Sequence, residues 1–103
     1  MSNTKSIQHE EVIRNTLLNK ELPRVYFNGF IVSASVGDVI IILQQQGEAV
    51  AILNASHIIA KTLSVKLGDV IKGYEEVTSE NFKTTDEIND LLSRREENIN
   101  DNH

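Results

Sequence analysis

The stretch RVYFNGFIVSASVGDVIIILQQQGEAVAILN, residues 24–54, decides the fold of this chain. Three apolar runs rich in β-branched and aromatic residues, which are typical of β-strands, occupy residues 24–35, 38–45 and 48–54. Gly37 and Gly47 separate the runs, and glycine readily adopts the positive φ angles that tight turns require. We therefore predict that consecutive strands are antiparallel neighbours in a three-stranded meander.

The Asn28-Gly29 pair interrupts the first run with residues that usually form turns. A hairpin tip here would leave Arg24 to Phe27 as a very short strand next to Pro23. We therefore favour one continuous strand over residues 24–35, with a β-bulge or a close backbone approach at Gly29. A role for Asn28 in contacting a ligand is the alternative interpretation.

After residue 55 the spacing of apolar residues changes from two residues to about three and a half residues. This spacing predicts a long helix over residues 56–77. Ser56 is a suitable N-cap. One face of this helix is apolar and is expected to pack on the sheet; it comprises Ile59, Leu63, Leu67, Val70, Ile71, Tyr74 and Val77. The middle of the chain is therefore a sheet followed by one long helix.

The same helix carries two further features outside that face. Ile58 and Val65 lie on the opposite side, and a line of small residues lies between the two apolar faces, at Ala60, Ser64 and Gly68. Small residues spaced by four allow a second backbone to approach, and a glycine inside a helix costs about 1 kcal/mol relative to alanine. The line indicates either a helix contact with a second subunit or tight packing on the sheet.

Both faces of the predicted sheet are apolar. In the second strand Val39, Ile41 and Leu43 point to one side, whereas Ile40 and Ile42 point to the other. One long helix can cover only one face, so the other needs a second layer. The N-terminal segment or a second copy of the chain can supply that layer. We favour a homodimer, because the N-terminal segment offers few apolar side chains.

Composition divides the chain into a polar, helical N-terminal segment (residues 1–22), a core domain (residues 23–79) and a polar tail (residues 80–103). In the tail, Thr84 and Glu87 have the spacing of a capping box ahead of a short helix over about residues 85–95. The predicted fold class is α+β: a three-stranded antiparallel meander followed by one long helix, with flanking helical segments, completed by dimerisation.

Charge and composition exclude several functional classes. The net charge of −5 and the absence of clustered Lys and Arg argue against nucleic-acid binding. The chain has no cysteine, which excludes a disulfide framework and Cys-based zinc sites. Its longest uninterrupted apolar run, VIIIL at 39–43, is too short to span a bilayer, and no signal peptide is evident. We therefore expect a cytoplasmic protein.

Several short motifs resemble a group of small bacterial proteins classed only as a domain of unknown function. The resemblance covers residues 24–79 and includes Tyr26 with Asn28-Gly29, Asp38 at the start of an apolar strand, Ser56 with Ala60-Lys61, and Tyr74-Glu75. The chain departs from the family pattern at His57, where a helix-starting proline is expected. The resemblance implies a small sheet-and-helix protein and supplies no catalytic residue.

No pattern in the sequence predicts catalysis, a cofactor or a bound metal. His57 has no second histidine or carboxylate at the spacing of a helical metal site. The glycines do not form a phosphate-binding loop, and the serines lack an adjacent activating motif. His57 is either a surface residue of the first helical turn or, together with Asn28, part of a ligand contact.

The sequence favours a non-enzymatic, oligomeric binding or adaptor protein that acts through protein–protein contacts, with itself and another protein as partners. Two alternatives stay open. One is a chaperone resembling the bacterial export chaperone SecB, which would bind unfolded chains in apolar grooves. The other is a small-ligand binder or enzyme with a pocket at a subunit interface, near Asn28 and His57.

Overall fold

The computed structural model describes residues 2–101, and the side chains of residues 7–97. The elements follow the order α1 (Ser2–Leu18), β1 (Gly29–Ala34), β2 (Val39–Gln45), β3 (Glu48–Ala55), α2 (His57–Thr78) and α3 (Thr85–Asp101). The strands form one antiparallel sheet in the order β1-β2-β3, which confirms the predicted meander and the α+β class. No helix within residues 2–101 is long and apolar enough to cross a membrane.

The chain divides into two compact units, with the division between His57 and Ile58. The first unit contains α1 and the sheet, and the second contains nearly all of α2 together with α3. The predicted core domain, residues 23–79, therefore includes parts of both units.

β1 is shorter than predicted, because it begins at Gly29 and not at Arg24. Its neighbour β2 ends at Gln45, and Gly29 already pairs with Gln44. Residues 24–28 include strand-forming residue types, but they precede the first residue pair between β1 and β2 and therefore lie almost entirely outside the sheet. The predicted bulge at Gly29 is wrong; the irregularity in the sheet lies between Leu43 and Gln44 in the pairing of β2 with β3.

The two hairpins turn by different means. In the β2–β3 turn both Gln46 and Gly47 have positive φ, at 50° and 86°, as a two-residue type I′ turn requires. Gly37, between β1 and β2, does not have positive φ, contrary to the expectation from sequence. A side chain, that of Ser35, organises that turn instead.

Very little of the described part of the chain is buried. Leu43, in the central strand, is 6% exposed and is the one buried hydrophobic residue among the described side chains. Among the described residues, α1 makes no extensive contact with any strand. No residue of α2 is buried, and the large side chains of its apolar face are exposed. The packing of this face on the sheet stays a prediction.

The connection after α2 is well defined within the second unit. Ser79 has a φ of 57°, and the Glu80 amide donates to the Glu75 carbonyl at 3.1 Å, the pattern of a Schellman motif at the end of a helix. The predicted capping box then starts α3: the Thr84 amide donates to Glu87 Oε1 at 3.1 Å, and the Glu87 amide donates to Thr84 Oγ1 at 3.2 Å. α3 is longer than the helix predicted over residues 85–95.

Candidate functional site

Asn28 forms two hydrogen bonds at the end of the sheet that contains the β2–β3 turn. Its side-chain Oδ1 accepts a hydrogen bond from the Gln46 amide at 2.9 Å, and its backbone amide donates to the Gln44 carbonyl at 3.0 Å. The residue therefore ties the chain entering β1 to the β2–β3 turn. Asn28 is the residue for which a ligand contact was the alternative interpretation, and its side-chain oxygen is bonded within the protein.

A polar cluster lies at the opposite end of the sheet. The Ser35 hydroxyl donates to Asp38 Oδ1 at 3.0 Å and also accepts from the amides of Gly37 and Asp38, at 3.3 Å each. The Ser35 amide donates to the Asp38 carbonyl at 2.8 Å, which closes the β1–β2 turn. Ser35 thereby satisfies backbone groups that would otherwise need water.

Asp38 extends this cluster to the third strand. Its Oδ2 accepts from the Asn54 side-chain amide at 2.8 Å. Donation by Asn54 is the main reason that the pKa of Asp38 lies below its ordinary value, and the Ser35 hydroxyl and the charge of His57 act in the same direction. The carboxylate therefore joins the β1–β2 turn to β3.

His57, the first residue of α2, closes the cluster. Its Nε2 lies 2.8 Å from the Ser35 carbonyl oxygen. A carbonyl oxygen only accepts, so Nε2 carries the proton and is the donor. The Ser35 hydroxyl meanwhile donates to Asp38 and not to the imidazole. The cluster shares its residue types with a nucleophilic triad, but histidine is not placed to take the serine proton.

The predicted interface residues of β2, Ile40 and Ile42, lie on the same face of the sheet. The register places Ile42 beside Ile31 and Ile52, and Ile40 beside Ser33 and Asn54, on one face of the sheet. Ile31 is 50% exposed and Ile52 is 66% exposed. The opposite face is also apolar and comprises Phe30, Val32, Val39, Ile41, Leu43 and Leu53. The prediction of two apolar sheet faces is therefore confirmed.

The predicted contact residues of α2 are exposed in the single chain. Ile58 and Val65 both have large exposed fractions, and a Cβ added at Gly68 would meet no atom within 4 Å. Packing within the chain therefore does not require glycine at position 68. The line formed by Ala60, Ser64 and Gly68 stays a prediction about a second subunit.

The end of α2 carries a local structure that no sequence pattern predicts. The Tyr74 and Phe82 rings stack with centroids 5.7 Å apart and an interplanar angle of 17°, and Glu75 Oε2 accepts from the Phe82 amide at 2.6 Å. Together these contacts fold the chain back after α2. The Tyr74-Glu75 pair is one of the resemblance motifs, but such a motif does not identify Phe82 as its partner.

Surface depressions give little support to a small-ligand site. One of about 400 Å³ lies along α1 and is lined by Glu10, Ile13, Arg14, Leu17 and Leu18. Neither Asn28 nor His57 lines it. Among the described residues, no group of three or more His, Cys, Asp or Glu side chains could hold a metal ion.

Comparison with known proteins adds no assignment, since no family model, curated protein or solved structure matches this chain. The resemblance to the bacterial domain of unknown function therefore stays a prediction.

Proposed function

We propose that this chain is a non-enzymatic adaptor that associates with itself and binds another protein through its apolar surfaces. The observation that carries the proposal is the exposure of apolar side chains on both faces of the sheet and along α2, with Leu43 alone buried among the described hydrophobic residues. Exposed apolar patches of this kind mark interaction surfaces in soluble proteins.

The magnitude of the exposed surface supports this proposal. Fully burying an isoleucine side chain stabilises a protein by about 1.5–3 kcal/mol. Ile31 and Ile52 are half exposed or more. Burying the exposed part of each side chain against a partner would therefore stabilise the complex by roughly 1 kcal/mol. The row Ile31, Ile42 and Ile52 crosses all three strands, which gives a partner a continuous surface.

The polar cluster supports a non-enzymatic function. Its groups bond to one another and close the turn: Ser35 to Asp38, Asp38 to Asn54, and His57 to the Ser35 carbonyl. A catalytic serine needs a base that accepts its proton, and here the serine proton is directed at a carboxylate that also holds Asn54. The simplest role for the cluster is to fix the end of the sheet.

Solution mass is the decisive measurement for self-association. We expect sedimentation velocity to show dimers or larger species of the full chain at micromolar concentrations. A mass that stays monomeric up to about 1 mM would refute the proposal, because a complex whose dissociation constant exceeds that concentration gains less than about 4 kcal/mol on association.

Binding of a second protein is tested on the sheet. Ile52→Lys places a charge at the β3 end of the isoleucine row, whereas Val36→Lys changes a fully exposed valine in the β1–β2 turn. We expect proteins captured by the wild-type chain to be lost with Ile52→Lys and kept with Val36→Lys. Loss with both variants or with neither would argue against the sheet as the binding surface.

The same exposed faces favour a second candidate, a chaperone that binds unfolded chains. A chaperone suppresses the aggregation of an unrelated denatured protein, and Ile52→Lys would weaken that suppression. An adaptor has no such effect. Suppression at near-stoichiometric amounts would therefore replace the adaptor function with the chaperone function.

A further inference from the structure

The Asn28-Gly29 pair contains a glycine that the backbone does not require. Gly29 does not have positive φ, in contrast to Gly47 with a φ of 86°. A Cβ added at Gly29 would meet the Gln44 side chain at 3.5 Å, which is an ordinary van der Waals distance. An alanine would therefore fit at the start of β1, and what distinguishes glycine at this position is its chemistry next to Asn28.

Asparagine is a thermolabile residue, and it loses its amide most readily when glycine follows, because glycine has no Cβ to hinder its amide nitrogen. In this reaction the Gly29 nitrogen would lose its proton and bond to Cγ of Asn28. The bond from Cγ to Nδ2 breaks, ammonia leaves, and a succinimide ring remains. Water then opens the ring at Cγ to give aspartate, or at the main-chain carbonyl to give isoaspartate. The overall reaction consumes water and releases ammonia, with no other reactant.

Asn28 is the one asparagine in the chain that glycine follows. Asn54, which alanine follows, provides a comparison within the same sheet. Its side-chain amide donates to Asp38 Oδ2 at 2.8 Å, so it is also hydrogen-bonded in the folded chain. Both asparagines belong to the first unit of the chain, and their hydrogen bonds are made within that unit. A difference in reactivity between them therefore reports the following residue and the local structure.

The hydrogen bonds of Asn28 oppose the geometry that this reaction needs. Ring closure requires the Asn28 side chain to fold back onto the amide nitrogen of Gly29. In the sheet, Asn28 Oδ1 instead accepts from the Gln46 amide at 2.9 Å, and the Asn28 amide donates to the Gln44 carbonyl at 3.0 Å. The pairing of Gly29 with Gln44 also keeps the main chain extended. The pair therefore reacts when this end of the sheet opens locally.

We propose that Asn28-Gly29 is a site of spontaneous deamidation, and that local opening of the sheet at the β2–β3 turn sets its rate. The modification goes beyond the proposed function and requires neither self-association nor a partner. It replaces a neutral amide with a carboxylate, so the net charge of the chain changes from −5 to −6. That charge appears at the side chain that joins the start of β1 to the β2–β3 turn.

The two products affect the sheet differently. Aspartate at position 28 keeps a side-chain oxygen that accepts from the Gln46 amide. Isoaspartate carries the main chain through Cβ and Cγ, which inserts one methylene ahead of Gly29. The pairing of Gly29 with Gln44 and both hydrogen bonds of Asn28 cannot then all be retained. We therefore expect the Gln46 amide to stay protected from hydrogen exchange in the aspartate product and to lose protection in the isoaspartate product.

Deamidation is measured by peptide mass spectrometry after incubation of the full chain in mildly alkaline buffer, because base promotes loss of the amide proton of Gly29. Trypsin cleaves after Arg24 and next after Lys61, so one peptide contains both Asn28 and Asn54. We expect Asn28 to deamidate faster than Asn54 in the folded chain. In denaturing urea the sheet is absent, and we expect the rate at Asn28 to rise severalfold.

A matched pair of glycine substitutions tests the opening step. Gly47→Ala places a side chain at a φ of 86°, which strains the β2–β3 turn. Gly37→Ala changes the opposite turn, where φ is not positive and an added Cβ meets no atom within 4 Å. We expect Gly47→Ala to raise the deamidation rate of Asn28 about fivefold or more, and Gly37→Ala to change it less than about twofold. Hydrogen exchange of the Gln46 amide should rise in the same proportion.

Gly29→Ala separates the chemistry from the structure. This variant should fold as the wild type does and deamidate at Asn28 severalfold more slowly, in urea as well as in buffer. Equal rates for this variant and the wild type in urea, or a wild-type rate at Asn28 no higher than at Asn54, would overturn the site.

Control of the rate by the sheet has a separate test. A rate at Asn28 that is equal in the folded chain and in urea, or that does not follow Gln46 exchange, would overturn this part of the proposal. If Gly47→Ala does not fold, the wild-type chain in sub-denaturing urea gives the same comparison. None of these outcomes depends on the solution mass that tests the proposed function.

Discussion

Replacing Asn28 tests whether this residue is structural or binds a ligand. Asn28→Ala removes the acceptor of one 2.9 Å hydrogen bond from the Gln46 amide at an exposed position. A hydrogen bond of this kind contributes about 0.5–1.5 kcal/mol, and water can partly replace it at an exposed site, so we expect a loss of about 0.5–1 kcal/mol. In a domain of this size that is a fall in melting temperature of roughly 2–8 °C.

Asn28→Asp is the matched control, because a carboxylate keeps an oxygen where the Gln46 amide donates. We expect this variant to retain most of the wild-type stability in urea denaturation. Amide hydrogen exchange gives a local readout: the Gln46 amide should lose protection in Asn28→Ala and keep it in Asn28→Asp. Equal stability and equal Gln46 exchange in wild type and Asn28→Ala would refute the structural role of this side chain.

Three further substitutions test other local structures. Gln46→Asn should stabilise the chain by about 0.5 kcal/mol, because asparagine tolerates positive φ better than glutamine does; thermal unfolding measures this. Ser79→Gly should stabilise the chain by about 0.5–1 kcal/mol in urea denaturation, because glycine adopts the positive φ of this position without strain. Destabilisation would contradict the assignment of a Schellman motif. The pKa of Asp38 is lowered in the folded state. The stability that the ionised carboxylate contributes is therefore present above about pH 4 and is lost as the pH falls through that lowered pKa. Asp38→Asn should therefore lose less stability than wild type on acidification, and an equal loss would contradict the role of the carboxylate.

Patterns that repeat along the chain were sufficient to predict the elements. Runs of β-branched residues and the change of period after residue 55 identified β2, β3 and α2 to within one residue at each end. The Thr84 and Glu87 spacing also predicted a capping box that the structure confirms. These features depend on neighbours within four residues, or on periodicity, and both can be read from a single sequence.

Features that depend on distant partners were predicted poorly. Residues 24–28 have strand-forming side chains, but a strand needs a neighbour, and β2 ends at Gln45 before it could provide one. The Asn28 side chain bonds to a residue 18 positions away. The polar cluster likewise joins Ser35 to His57 across 22 positions. Nothing in the local sequence indicates such pairs, although turn-forming residue types marked both ends of the sheet.

The exposed surface of the single chain leads to one more prediction, which concerns concentration. A chain whose described apolar side chains are so exposed should gain stability from association. Any species that binds only the folded state raises the apparent stability by mass action. For a partner present at about 100 times its dissociation constant this gain is about 2.7 kcal/mol. We therefore expect the melting temperature of the wild-type chain to rise by several degrees between about 2 and 200 μM. Ile52→Lys should show little of this rise, whereas Val36→Lys should behave as wild type. A melting temperature independent of concentration in the wild-type chain would mean that the apolar faces do not mediate association under these conditions.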